Sequence, residues 1–267
     1  MIQNMRIKFH NYVLSGNCYK VRLLASLLDV EYESVAVDFH PGAEHKSEAY
    51  LRINPAGTLP ILEAGDLVLT ETQAMLVWLA EHHDTGNKWW PVNDDEAVVR
   101  TMQWLGFATR LSATVGELRL HTMLNREIDV AVVHGGAIKA LRELESHLTE
   151  QRIRGCRFLV SDTPTIADIA CFAYTALSPD AGIEHDDYPA VRNWLYAIRS
   201  LDGFITMPGI HELHEQRGVN ADVAEIDSAA HDSERNSGAD NSKSDHPDSD
   251  VSDSGVSDSD AAGARSS

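Results

Sequence analysis

The sequence predicts a mixed α/β domain, then an all-helical domain, then an acidic tail with no fold of its own. Three observations carry this. Residues 5–84 alternate strand-like and helix-like apolar patterns. Beyond about residue 92 only the helical period recurs. Residues 219–267 contain no Phe, Trp, Tyr, Leu or Met and are crowded with Ser and Asp. Such a tail cannot bury enough apolar surface to offset its chain entropy, so disorder is expected there. The expected organisation is therefore 1–84, 92–218 and 219–267.

Within the first domain, Arg6-Ile7-Lys8-Phe9-His10 alternates polar and apolar residues, the pattern of a half-buried strand. Val21, Leu24, Ala25 and Leu28 fall on one face of a helix. Tyr32 to Asp38 is β-rich and stops before the turn signal His40-Pro41-Gly42. A short helix is expected over about 44–53. Leu59–Glu63 and Leu67–Thr70 read as strands joined through Ala64-Gly65-Asp66, a hairpin. A helix from Glu71 to about His83 follows, with Ala74, Val77, Trp78 and Glu81 as its stripe. The order β-α-β-α-β-β-α with short connections fits a mixed sheet covered by helices.

Asp84 to Pro91 is a polar link bearing Gly and Pro. After it, four helical stripes are legible: Val98, Met102, Leu105, Thr109; Ile138, Leu141, Leu144, Leu148; Ala170, Ala173, Tyr174, Leu177; and Val191, Trp194, Leu195, Ile198. These predict a helical bundle. Thr165 and Asp168, three residues apart before an apolar run, predict a capping box.

Composition narrows the function. The chain of 267 residues is 43% apolar, enough for a sizeable core. The formal net charge is −19, of which the tail contributes −9 through twelve Asp or Glu against three Lys or Arg. That balance argues against nucleic acid, which demands a basic surface. No stretch approaches the roughly 20 apolar residues of a spanning helix, so no membrane partner is expected. The opening MIQNMRIKFHN lacks the apolar run of a secretory signal. Cys18, Cys156 and Cys171 form no CxxC pair, which suits a reducing, cytoplasmic compartment. His211-x-x-His214 has metal spacing but no third ligand, so no metal is expected.

Three segments carry candidate chemistry. In Asn54-Pro55-Ala56-Gly57-Thr58-Leu59-Pro60-Ile61-Leu62, a proline stands where a strand should begin. If the Leu59–Pro60 bond is cis, the Leu59 N–H and C=O are left to pair with a peptide-like ligand as an added strand. The bland reading is a Pro-Gly loop. Glu71-Thr72 opens a helix, whose N-terminus offers free N–H groups to a carboxylate. Thr72 can cap there and Glu71 can hold an ammonium, although an ordinary cap explains both. Ser15-Gly16-Asn17-Cys18 lies between the first strand and the first helix. A hydroxyl beside a helix N-terminus can donate to a thiolate, and an N-cap turn again needs nothing more.

In this order and context, SGNCYKVRLL, NPAGTLPIL, LTETQAMLVWLAE and TPTIADIACFAY resemble the glutathione transferase superfamily, over about residues 5–210. The resemblance implies a thioredoxin-like glutathione-binding domain before the helical one. It implies that the Leu59 backbone beside cis-Pro60 pairs with the cysteinyl part of glutathione, and that Glu71 and Thr72 bind the γ-glutamyl end. The family usually has Ser where Thr72 stands, and the hydroxyl is kept. His45, with Lys46, would meet the glycine carboxylate. Ser15 would activate the thiolate, as in the serine-using (theta, zeta or phi-like) classes, and Asn17 and Cys18 are the alternatives. Cys18 is either a thiol of lowered pKa or a small packing residue.

The implied activity is attack of the glutathione thiolate on a small electrophile, in detoxification, by a homodimer. Glutathione is the co-substrate. Isomerisation, dehalogenation or disulfide reduction are the alternatives, as is a non-catalytic partner-binding module. The second-substrate pocket is expected along the helix that carries Trp104, Phe107 and Leu111, unless these three are bundle core.

Overall fold

A computed structural model describes residues 6–211. The expected tail over 219–267 and His214 lie outside the described residues. Strand β1 (Ile7–Asn11) leads into helix α1 (Gly16–Leu27) and strand β2 (Glu33–Ala36). A 3-10 turn over Glu44–Lys46 precedes α2 (Glu48–Ile53). Strands β3 (Ile61–Ala64) and β4 (Leu67–Leu69) form the expected hairpin, and α3 (Thr72–His83) closes this half.

The sheet order is β2-β1-β3-β4. β1 and β2 are parallel, which requires the α1 crossover between them. β3 runs antiparallel to β1, with Phe9 opposite Leu62, and β4 is antiparallel to β3. Successive strand residues face opposite sides. Leu62 thus joins the main core with Ile7 and Phe9, while Ile61 joins Val37 and Tyr50 under α2 on the other face. α1 and α3 pack together on the main-core side.

The remaining helices are α4 (Asp95–Leu111), α5 (Glu117–Leu124), α6 (Val130–Ile153), α7 (Ile166–Ala176) and α8 (Pro189–Arg199). A π-turn over Ser112–Gly116 joins α4 to α5. α7 is buried along nearly its whole length and packs against α4, α1 and α3, so it unites the two halves. Its capping box is formed as expected. Asp168, fully buried, also accepts from the Leu159 N–H at 2.9 Å and from Trp194 Nε1 at 2.8 Å. One carboxylate therefore ties the start of α7 to the preceding loop and to α8.

Two stripes differ from expectation. α3 buries Met75, Leu76, Leu79 and Ala80, whereas Ala74 and Glu81 are exposed. α4 buries Thr101, Trp104, Leu105, Ala108 and Leu111, whereas Met102 and Thr109 are exposed. Both helices carry apolar residues on two faces, so period alone could not say which faces the core. Among the described residues, no helix is long and apolar enough to cross a membrane.

Candidate functional site

A cavity of about 610 Å³ lies between the sheet half and the helical half. Its floor on one side is the β1–α1 connection: Tyr12, Leu14, Ser15, Gly16 and Asn17. His45, Lys46 and Leu59 add to that side. The opposite wall comes from Thr109, Ser112 and Ala113, then Gly116 to Leu124 in part, then Arg126 and Tyr174.

Ser15 is the N-cap of α1, in extended conformation (φ −78°, ψ 119°). Its Oγ accepts from the Cys18 N–H at 3.2 Å, so the capping reading holds. A hydroxyl accepts through a lone pair and keeps its proton to donate. Ser15 therefore caps the helix and still has an O–H for a ligand in the cavity. The α1 N-terminus, with Gly16 and Asn17 on the wall, adds the positive end of a helix dipole.

Cys18 is fully buried, facing the core rather than the cavity, and accepts from the Tyr12 N–H at 3.5 Å. Burial pushes its thiol up, and the Ser15 hydrogen bond opposes this only in part. This is the packing cysteine of the two readings, not a thiol of lowered pKa.

The Leu59–Pro60 bond is cis, and Leu59 stands on the cavity wall. Its N–H and C=O lie outside the β3 ladder and have no partner among the described residues. His40–Pro41 is also cis, in a place read from sequence only as a turn. His45 is buried, stacked on Phe39 with ring centroids 4.2 Å apart. Burial, then the Lys46 charge, pushes its imidazole down. Its Nδ1 is buried without a partner, a polar atom that a ligand can satisfy. Lys46 is exposed and donates to the Gly57 carbonyl at 3.1 Å.

Pro60, Glu71 and Thr72 are not part of this wall. Glu71, rather than Thr72, occupies the N-cap position of α3, with no side-chain cap bond. Thr72 is the first helical residue and is 6% exposed. The first-turn N–H groups of α3 thus lack a side-chain cap.

Trp104, Phe107 and Leu111 are buried in the bundle and do not line the cavity. The helical wall is instead built from the π-turn and α5, which carry no clear apolar period. Arg119 and Ser112 there escaped the sequence reading, which placed Tyr174 of α7 only in an apolar stripe. Arg119 is 4% exposed; its Nε donates to Asp180 Oδ2 at 2.8 Å and its NH1 to the Leu14 carbonyl at 2.6 Å. It pins the loop that carries Ser15 to α5. Ser112 and Tyr174 meet α1 from the other half. The Tyr174 ring is wedged between Gly16 and Gly116, and a Cβ at either glycine would come within 3.0 Å of it. A side chain at position 16 would force the ring to shift, and one at 116 would press it by a few tenths of an ångström.

Residues 14–82 match the model of the glutathione S-transferase N-terminal domain, and residues 130–196 that of the C-terminal domain. Together they span about half of the chain. The chain is similar to glutathione S-transferase theta-1 of Bos taurus, at 25% identity over 78% of this chain and 89% of that one. It is similar to maleylpyruvate isomerase of a Ralstonia species, at 29% identity over 74% and 94%. Among solved structures it resembles a glutathione S-transferase from Xanthobacter autotrophicus, with 28% identity, a TM-score of 0.67, and 76% and 97% of the two chains covered.

Proposed function

This chain belongs to the glutathione S-transferase family, and from that premise we propose that it binds glutathione and directs its thiolate at a small electrophile. The observation that carries the reading is Ser15. Its lone pair is engaged by the Cys18 N–H while its proton is free at the cavity, beside the α1 N-terminus. The hydroxyl donates to the sulfur once the thiol has released its proton to water. The thiolate forms the S–C bond, and the leaving group departs with its electron pair.

The peptide part of glutathione pairs with the Leu59 backbone, and the partnerless His45 Nδ1 and the Lys46 ammonium receive its glycine carboxylate. Glu71 and the uncapped start of α3 receive the γ-glutamyl end, with the Thr72 hydroxyl. The aliphatic wall around Leu120, Met123 and Leu124 receives the electrophile. Asn17, also on the wall, is the alternative thiolate donor; the burial of Cys18 weighs against it in that role.

A second reaction is favoured by one observation, the Ralstonia isomerase at 29% identity over most of both chains. In that case the thiolate adds to an unsaturated acid and leaves again after bond rotation. Isothermal titration with glutathione, then a panel of conjugation and isomerisation substrates, separates the readings. Submillimolar binding with turnover is expected; absence of glutathione binding would refute both and leave a partner-binding module.

We also propose a homodimer, supported by the exposed apolar side chains Leu67, Val68, Val99 and Met102 on β4 and α4. Sedimentation showing only monomer at micromolar concentration would count against it. The unpaired state of all three cysteines supports a cytoplasmic setting.

A further inference from the structure

Lys20 sits on α1 one turn beyond the cavity wall and is 0% exposed. Its ammonium donates to Asn17 Oδ1 at 3.0 Å and to Ser112 Oγ at 3.2 Å. It also lies 4.7 Å from the centroid of the Tyr174 ring, within cation–π range. Among the described residues it makes no ion pair with a carboxylate. A buried cation is costly, and an apolar residue of like volume usually packs there at no loss of stability. The three groups that its ammonium contacts in this way, Asn17, Ser112 and Tyr174, line the cavity.

The contact with Asn17 has a directional consequence. An ammonium offers only hydrogens, so the amide atom that faces it must be the oxygen. Asn17 Oδ1 is thereby held inward, and its Nδ2, which has no partner among the described residues, is turned the other way. The result is an N–H donor one residue pair along α1 from the Ser15 hydroxyl, at the positive end of the helix.

We propose that Lys20 is a positioning residue for the thiolate: it fixes Asn17 as a donor towards the sulfur and sets an ammonium without a carboxylate partner beneath the cavity lining at the start of α1. This rests on the reading of the cavity as a glutathione site. The titratable groups that face Lys20 are the Cys171 thiol and the Tyr174 phenol, both from α7; α3 and the Ser112 turn bring none. Burial pushes both groups up, Tyr174 to about 12, so neither neutralises the charge near neutrality. Burial also pushes Lys20 itself down, to about 8, so the charge that serves the thiolate fades above that pH.

The test is Lys20→Met, which keeps the volume and removes the charge. The probes are glutathione, whose bound thiolate is followed by ultraviolet absorbance against pH, and S-methylglutathione, which has no thiol to ionise. Expected is a rise of about one unit in the bound thiol pKa, and a roughly tenfold fall in kcat/KM below it, because an opposite charge within reach lowers an acid by 1–3 units. The affinity for S-methylglutathione should stay unchanged. An unchanged thiol pKa overturns the proposal, as does a loss of S-methylglutathione affinity that accounts for the whole loss of activity. If Lys20→Met does not fold, Asn17→Asp serves: its carboxylate pairs with the ammonium in place, keeps the fold and removes the amide donor. The thiol pKa should rise there too, and an unchanged or lower value overturns the proposal. If the unaltered protein binds no glutathione, it is the functional reading that has failed, not the role of Lys20 within it.

Discussion

Replacing Ser15 tests two roles at once, because one oxygen caps α1 and faces the cavity. Ser15→Ala removes the acceptor for the Cys18 N–H, and loss of such a cap costs about 1 kcal/mol of stability. It also removes the donor to sulfur. Loss of one donor aimed at developing or fixed negative charge costs about 2.7–4 kcal/mol of barrier, or roughly 100- to 1000-fold in kcat. The α1 N-terminus and the Asn17 amide remain, which places the expectation near the lower end, about 100-fold. Affinity for S-methylglutathione should be nearly unchanged, since its peptide contacts are elsewhere. Ser15→Asp separates the roles. Aspartate is as good a cap as serine, so stability should return. Its carboxylate has no proton to donate and repels the thiolate, so activity should stay lost. The assay is thermal denaturation beside initial rates at saturating glutathione. If Ser15→Ala keeps most of its kcat while Asn17→Ala abolishes it, the serine assignment is wrong. If Ser15→Asp recovers activity along with stability, the hydroxyl matters only as a cap.

Three further outcomes are expected. Cys18→Ala should leave kcat unchanged and cost about 1 kcal/mol of stability, as loss of a small buried group does; loss of turnover would show that the thiol takes part. Asp168→Ala should cost about 2–4 kcal/mol in denaturant unfolding, since it strands the buried Trp194 and Leu159 N–H groups; a neutral result would contradict the bracing role. Lys20 is depressed from 10.5 to about 8 in the folded chain, so between those values the unfolded chain binds more protons and stability should rise with pH. Its contribution is complete only above 10.5 and is lost as pH falls through 8. A difference in unfolding free energy between the parent and Lys20→Met that is flat across this window would contradict the burial of the charge.

The sheet half was largely legible from the chain, because its strands are short, its turns carry Gly and Pro, and alternation marks their faces. The cavity floor was legible too, in Ser15, Asn17, His45, Lys46 and Leu59. The helical half was read less well. Period found α4 but chose Met102 and Thr109, because the buried stripe contains Thr101 and Ala108, which weigh little on any apolar scale. The α5 wall had no signal to find, since Glu117 to Leu124 alternates polar and apolar residues without a helical stripe. Lys20 was invisible for a different reason. A lysine in a helix reads as a solvated residue, and only packing by α7 and the π-turn reveals that it is enclosed.

The wedge of Tyr174 between Gly16 and Gly116 divides the cavity into parts free to diverge and parts that are not. The ring sets the spacing between the start of α1 and the turn at Gly116, much as a shim sets the gap between two plates. A side chain at position 16 pushes on the ring beside Ser15 and Asn17, and one at 116 pushes on it from the opposite wall. Leu120, Met123 and Leu124 follow Gly116 along α5 and line the cavity wall. Substitutions there can reshape that wall without adding a Cβ against the Tyr174 ring. The α5 side chains can therefore vary while the packing of Tyr174 on the two glycines is kept.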